Sequence, residues 1–352
     1  MVSESSPSGQ RLNKQGEVEK MIYFGIDVSK DKLDCGWFRD PLKGKVKTRV
    51  FQNKATDFSK LLAWAQKHTG VPVEELHFVI EATGIYHQAV AQALHEAGAR
   101  VSVVNPANVK HFARSEGRRS KTDQRDCLVL ARYGNAHRLR LWQPDPEPVR
   151  VLRALLSRLS ALDKDIQREK NRLEKAAFVG NLPEVAQSIQ TMLDHLKTEQ
   201  KRLQKQIDGL IRRHPELKKA RELLTTIPGI GPVMSRLLVP VLCSRDFVSA
   251  RQLAAFAGLN PVHEESGNQR SKSVISKAGD NRIRAKLYMA TVSATSSNPL
   301  IREYYQRLLK KGKCKMVALV ACMRKLLHIC FGVFKNRCAF QVNPASTRVG
   351  LV

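Results

Sequence analysis

Acidic residues are scarce in this 352-residue chain: 32 Asp and Glu stand against 60 Lys and Arg, a formal net charge of +28 at pH 7, with a pI near 10.1. A chain this basic repels itself unless a polyanion is its usual partner. Nucleic acid is the commonest such partner, because each neutralised phosphate releases condensed counterions. The seven cysteines, at 35, 127, 243, 314, 322, 330 and 338, include no C-x-x-C pair, so no zinc knuckle or dithiol motif of ordinary spacing is present. Their odd number, with no recognisable leader, points to a reducing cytoplasm. No apolar run approaches the roughly 18 residues of a membrane span, so no membrane partner is expected; the longest, Met316 to Met323, reads as part of an amphipathic helix. There is no internal repeat, and the polar first 20 residues read as a flexible tail, with Met21 as an alternative start.

What is present is a globular composition, 42% hydrophobic and 26% charged, with length enough for two domains or one domain and a helical appendage. Over 21–143 the signals run strand, strand, strand, helix, strand, helix, strand, then helices. "TDFSKLLAWAQKH" has Thr56 or Asp57 placed as its cap, and Gly98 stops the helix "YHQAVAQALHEAG". That order predicts an α/β ribonuclease H-like domain, a mixed sheet flanked by helices. Pro144, Pro146 and Pro148 mark a linker. Beyond it, 144–217 reads as linker plus long helices, with Ile189, Leu196, Leu203 and Leu210 at seven-residue spacing, either a coiled-coil hairpin or a dimer seam. Residues 218–340 read as an all-α domain of shorter helices, and 341–352 as a tail.

Four acids stand where phosphoryl chemistry would want them. Asp27 lies in the first apolar strand, Glu81 ends the fourth, and Asp123 and Asp126 are spaced to share one face at a helix start. A carboxylate in an apolar strand is costly unless paired or metal-bound. Such an oxygen cage suits Mg²⁺, with Mn²⁺ as a substitute, and two ions would support in-line phosphoryl transfer. Each acid also has a plainer role open to it: Asp27 as a turn cap, Asp123 as a first-turn residue favoured by the helix dipole. Asp31 and Asp34 compete with Asp27, although strand alternation predicts Asp34 to point outward into solvent. Arg114, Arg118, Arg119, Lys121 and Arg125 surround the last pair with a field that holds a phosphate backbone.

In the back half, "LLTTIPGIGPVMSRLLVP" has the pattern of a helix-hairpin-helix. Gly229 and Gly231 would let a phosphate approach backbone N–H groups at a helix start; a simple inter-helix turn is the alternative. The long polar loop "GLNPVHEESGNQRSKSVISKAGDNRIR" holds Ser266, with the cations Arg270, Lys272 and Lys277. A serine needs activation to be a nucleophile, and the only near base is His263; Ser271, Ser273 and Ser276 compete with Ser266. The Cys and Met residues of the last helix read as core packing, and His328 as structural.

The segments "YFGIDVSKDKLD", "IEATGIYH", "VSVVNPANVKHFARSEGRRSKTDQRDC", "TIPGIG", "LAAFAGLNP", "ESG" and "ISKAG" resemble the DEDD transposases of bacterial insertion sequences, from Met21 to about residue 340. The resemblance implies a RuvC-like domain carrying Asp27, Glu81, Asp123 and Asp126, a coiled-coil insertion, and a C-terminal domain whose catalytic serine is Ser266 in Glu265-Ser266-Gly267. It further implies strand cutting and rejoining through a phosphoserine link, guided by a noncoding bridge RNA, in a homo-oligomer (dimer or tetramer). The stretch "NQRSKSV" departs from the family's glycine- and arginine-richer pattern. Two other activities compete: a junction-resolving nuclease using metal-activated water, which would leave Ser266 idle, and an actin-like ATPase suggested by "GIDVS" but lacking a second phosphate loop. A non-catalytic RNA scaffold would leave Asp27 and Glu81 unexplained.

Overall fold

The computed structural model describes residues 21–40, 44–82, 84–116, 123–179, 183–262, 265–266, 269–270 and 274–342. The chain divides into two units, residues 1–144 and 145–352.

The first unit contains β1 (Ile22–Val28), β2 (Lys32–Asp40), β3 (Lys45–Gln52), α1 (Ala55–Thr69), β4 (Leu76–Glu81), α2 (His87–Glu96), β5 (Arg100–Val104), α3 (Pro106–Ser115) and α4 (Asp123–Ala136). Its strands form one sheet in the order β3-β2-β1-β4-β5. The first three are antiparallel neighbours, whereas β4 and β5 run parallel to β1. Parallel neighbours need crossovers, and the α1 and α2 segments supply them. Phe24, Ile26, Leu33, Phe78 and Ile80 alternate onto one face, where they pack with Leu61 and Trp64 of α1 and with Val90 and Leu94 of α2. The opposite face takes α3 and α4 through Val79, Val104, Val109, Leu130 and Tyr133. The mixed, helix-flanked sheet expected from the order of signals is therefore present.

One local expectation is corrected. Neither Thr56 nor Asp57 caps α1; Lys54 occupies the N-cap without a side-chain bond. Asp57 instead sits in the first turn and accepts from the Gln52 amide at 3.0 Å, because the chain enters the helix two residues earlier than the polar pair suggests. Asn105 caps α3 through the Ala107 amide at 2.9 Å, followed by Pro106 in the first turn, where a missing N–H is harmless.

The second unit contains α5 (Glu147–Val179), α6 (Pro183–Arg213), α7 (Pro215–Thr225), α8 (Pro232–Ser244), α9 (Ala250–Phe256), four two-residue strands β6 (Pro261–Val262), β7 (Glu265–Ser266), β8 (Gln269–Arg270) and β9 (Val274–Ile275), then α10 (Asn281–Ser297), α11 (Pro299–Lys310) and α12 (Lys315–Asn336). α5 and α6 pack on each other, burying Leu162, Ile166, Leu193, Leu203 and Ile207, and Gln200 donates to Asp163 at 2.6 Å across them. In the seven-residue series Leu203 and Leu210 are buried, while Ile189 and Leu196 are half-buried. The short strands are a departure from an all-α reading: the polar loop folds into two small ladders, β6 with β9 and β7 with β8. Sequence alternation has no purchase on strands of two residues.

α12 is long and apolar enough, by length and composition alone, to cross a membrane, which counting uninterrupted apolar runs does not reveal. Its Cys322, Met323, Leu326, Leu327 and Cys330 are buried in the core of this unit, with α7, α9, α10 and α11 packed against it. This is the pattern of a core helix.

Candidate active site

Alternation along the strands decides which acids meet. On β1, Phe24, Ile26 and Val28 belong to the α1/α2 face, so Tyr23, Gly25 and Asp27 face the α4 side. On β4, Leu76, Phe78 and Ile80 likewise leave Val79 and Glu81 on the α4 side. The parallel register pairs Ile26 with Ile80, so Asp27 and Glu81, one residue further on, sit side by side at the C-terminal ends of adjacent strands.

Helix α4 is brought down onto the same face by glycine. A Cβ on Gly25 would lie 1.7 Å from the Cys127 carbonyl oxygen and 2.7 Å from the Ala131 nitrogen. On Gly36 of β2 it would meet the Cys127 sulfur at 2.7 Å, and on Gly134 at the far end of α4 it would meet Tyr23 at 2.6 Å and Val79 at 2.7 Å. α4 therefore lies against bare strand backbone, with Cys127 over Gly25 and Gly134 over Tyr23. Its first turn, carrying positions 123 and 126, lies toward the strand ends that bear Asp27 and Glu81. The four acids expected to act together come from three separate stretches of chain, β1, β4 and α4, whose ends lie toward one end of one sheet face. Asp126 is half-buried; the side chains of Asp123 and Arg125 lie outside the described residues.

A fifth acid was misjudged by alternation. Asp34 is directly opposite Asp27 in the antiparallel register and only 5% exposed, not solvated as expected. The α4 helix covers that face of β2, and a polar residue under a helix looks the same in sequence as one in water. The Lys32 ammonium lies 3.1 Å from its carboxylate. Burial first, and then Asp34 and Asp27, push the thiol of Cys127 up to about 12. The donors here are oxygens, which is the chemistry of Mg²⁺, an ion that takes one or two carboxylates and fills its shell with water and phosphate. Among the described residues no group of three His, Cys, Asp or Glu is placed to hold a metal ion; the Asp123 side chain lies outside them. The strand-end carboxylates Asp27 and Glu81 are of the kind such an ion takes, with water and phosphate completing its shell.

Around these acids, Arg114 is an exposed residue of the last turn of α3, whereas Arg118, Arg119 and Lys121 lie outside the described residues. In the second unit, Ser266 pairs with Gln269 in the β7–β8 ladder, which places Arg270 opposite Glu265; their side chains, and His263 and Lys272, lie outside the described residues. The ladder is flanked by β6–β9 and then by Lys277, exposed and held at φ 54, a left-handed backbone that non-glycine residues seldom adopt. This turn is locked by two glycines: a Cβ on Gly279 would meet the Gly258 nitrogen at 2.4 Å, and one on Gly258 would meet the Lys277 carbonyl carbon at 3.0 Å. Arg284 closes it, donating to the Ala257 carbonyl at 2.9 Å.

The α7–α8 turn separates its two glycines. Gly229 has φ 95, and its Cβ would lie 2.5 Å from that of Ala294, so packing against α10 alone requires glycine there. Gly231 is the N-cap of α8, before Pro232, and has open space around it.

A family model described as Transposase, that of the IS110 DEDD transposases, matches residues 24–177, and a second, described as Transposase IS116/IS110/IS902 family, matches residues 221–306. The pilin gene-inverting protein of Moraxella bovis is 34% identical over 328 residues, covering 91% of this chain and 97% of that protein. A putative transposase of Sinorhizobium fredii is 34% identical over 169 residues, 45% of this chain and 42% of that one. Among solved structures, Thermus thermophilus RuvC in complex with a Holliday junction substrate is similar over 35% of this chain and 99% of its own, at 16% identity and a TM-score of 0.27. By the two matching models and a relative aligned over nearly its whole length, the chain belongs to the IS116/IS110/IS902 family of transposases.

Proposed function

We propose that the chain cuts and rejoins DNA strands of an insertion sequence with two sets of groups, the sheet-end acids Asp27, Glu81, Asp123 and Asp126 and the nucleophile Ser266. The observation that carries this reading is the convergence of Asp27, Glu81 and the start of α4 at one edge of the ribonuclease H-like, RuvC-like sheet. Those four acids would hold Mg²⁺, or Mn²⁺ in its place, which neutralises charge on the phosphate oxygens. The Ser266 hydroxyl attacks phosphorus; one P–O ester bond forms as the strand's own P–O bond breaks, and the serine proton ends on the departing deoxyribose hydroxyl. The phosphodiester is conserved as phosphoserine, so the reverse attack by another strand's hydroxyl rejoins DNA without an energy source. The acids and the serine belong to different units, so both must reach one phosphodiester, within a chain or between protomers of a homo-oligomer.

Arg114, Arg118, Arg119, Lys121, Arg125, Arg270, Lys272 and Lys277 serve as backbone contacts, with Gly231 at the N-terminus of α8 offering N–H groups to a phosphate in helix-hairpin-helix fashion. The α5–α6 pair acts as a coiled coil whose half-buried distal stripe suits self-association. A net charge of +28 accommodates a structured bridge RNA as well as DNA, and sequence choice then rests in base pairing rather than in the protein. The deciding experiment incubates the protein with Mg²⁺, DNA spanning the element's junction and RNA transcribed from its noncoding end. A denaturation-resistant protein–DNA adduct is expected from wild type and absent from Ser266→Ala and Asp126→Ala. Cleavage without an adduct, unchanged in Ser266→Ala, would instead establish a resolving nuclease.

A further inference from the structure

We propose that Ile85 and Tyr86 form a stacking platform for one unpaired base of the DNA strand being processed, at the rim of the carboxylate site. The inference rests on the proposed function for the identity of that strand. Ile85 is 71% exposed and Tyr86 43% exposed, and both follow Glu81 by no more than five residues. A lone exposed apolar side chain is ordinary. Two consecutive ones, on the turn that leaves a strand-end acid, stand where polar groups would serve a phosphate better.

The turn carrying them is tied down at its backbone. Asn53, just beyond β3, donates its side-chain amide to the Ser29 carbonyl at 2.9 Å and to the Tyr86 carbonyl at 3.2 Å. Its own backbone amide donates to the Asp31 carbonyl at 3.0 Å, and the Gln88 amide donates to the Ile85 carbonyl at 3.2 Å. Ser29 lies two residues past Asp27, so a single asparagine links the turn leaving Asp27 to the turn leaving Glu81. Gly84, at φ 54, permits the bend that starts the turn. Backbone held and side chains outward is the arrangement of a preorganised contact, which gives up little entropy on binding.

Size and chemistry select the occupant. A protein interface needs on the order of 800 Å² per partner, far more than two side chains provide, whereas one ring and one branched aliphatic chain match a single base. Bases stack on aromatic groups irrespective of sequence, and apolar wedges open base steps next to backbone contacts. A base held out of the stack would fix the sugar–phosphate beside it relative to Asp27 and Glu81. Asn53 is then a positioning residue for the platform and for both turns.

The test places 2-aminopurine, in turn, at each position of a single-stranded DNA oligonucleotide from the element's junction, with the full chain and Ca²⁺ in place of Mg²⁺. Quenching is expected at one position with wild type. Ile85→Ser with Tyr86→Ser should remove it and weaken binding by roughly 5- to 100-fold, and Tyr86→Phe should keep it. Asn53→Ala should broaden the quenching over neighbouring positions. Unchanged quenching and affinity in the double variant overturn the platform even where the Ser266 adduct forms normally. Conversely, variant-sensitive quenching without any adduct in Mg²⁺ keeps the platform and removes the serine chemistry. Sensitivity seen only with the RNA oligonucleotide of the same sequence overturns the assignment to DNA.

Discussion

Asp27 on β1 and Asp34 on β2 are direct cross-strand partners, and both side chains lie on the sheet face that α4 covers. Directly opposed residues bring their Cβ atoms to about 5 Å, and like charges in that position destabilise a sheet. On the Asp34 side Lys32 lies 3.1 Å from the carboxylate. Lys32, the first residue of β2, keeps nearly half its side chain in solvent, 46% exposed, which weakens its attraction for the Asp34 carboxylate. A divalent ion at Asp27 would find its ligand electrostatically supported by Asp34 from beneath.

Asp34→Asn should accordingly fold normally and bind metal less tightly. Outer carboxylates that support a ligand typically contribute 10- to 100-fold to metal affinity, so about a tenfold rise in the Mn²⁺ dissociation constant is expected. Calorimetric titration of Mn²⁺ into the metal-free protein reads it without reference to turnover. A constant equal to that of wild type, with an unchanged melting temperature, would leave Asp34 as no more than a partner for Lys32.

The close approach of α4 makes a second prediction. Gly25→Ala drives a methyl into the Cys127 carbonyl oxygen, where backbone on both sides has nowhere to go. Overpacking of this kind costs about 3 kcal/mol, and the relief available is to lift the first turn of α4 off the sheet, taking Asp126 with it. Gly209→Ala in α6 is the control, since nothing lies within 4 Å of its Cβ and a helical alanine gains up to about 1 kcal/mol. Denaturant midpoints moving down for the first and up for the second are the expected result; equal midpoints would mean that α4 does not seat as tightly as the glycines imply.

Much of this was readable in the residues themselves. Strand alternation and the position of Gly98 gave the five-stranded sheet its elements, and the three-residue spacing of Asp123 and Asp126 placed them at a helix start. The misreading of Asp34 has a plain physical reason: pattern reports which face a residue shares, not what lies over that face. Asp34 looked solvated because α4, 90 residues later, is invisible to β2. Gly25 and Gly36 are the signal that was available, for two small residues on one face of neighbouring strands announce a backbone packed against them. The β6–β9 ladders escaped because their strands are too short to have a period. Gly229 and Gly231 looked equivalent in the sequence, and only α10 distinguishes them.

That distinction can be measured. Gly229→Ala should destabilise the second unit, through both its φ of 95 and the 2.5 Å approach to Ala294, by roughly 2–3 kcal/mol. Gly231→Ala meets nothing and gives up only the preference for glycine at an N-cap, so it should cost no more than about 1 kcal/mol. If the start of α8 grips a phosphate, Gly231→Ala should still weaken DNA binding severalfold and lessen its salt dependence. Full DNA affinity in a stable Gly231→Ala protein would reduce the α7–α8 turn to a connection.

His328 on α12 carries a pH dependence with a definite sign. Its Nε2 is buried without a hydrogen-bond partner. Burial, then Arg324, Lys325 and Arg251, hold its pKa down at about 4, against about 6.5 in an unfolded chain. Between those values the unfolded chain binds the proton and the folded chain does not, so protonation draws the equilibrium toward unfolding. Stability from this residue is therefore whole above about pH 6.5 and falls as pH drops toward 4. His328→Leu removes the titration and an unsatisfied polar atom together. It should match or exceed wild type at pH 7, and its denaturant midpoint should decline less steeply between pH 6.5 and 4.5. Parallel declines in the two proteins would show that other groups, and not the buried imidazole, set the acid sensitivity of the helical unit.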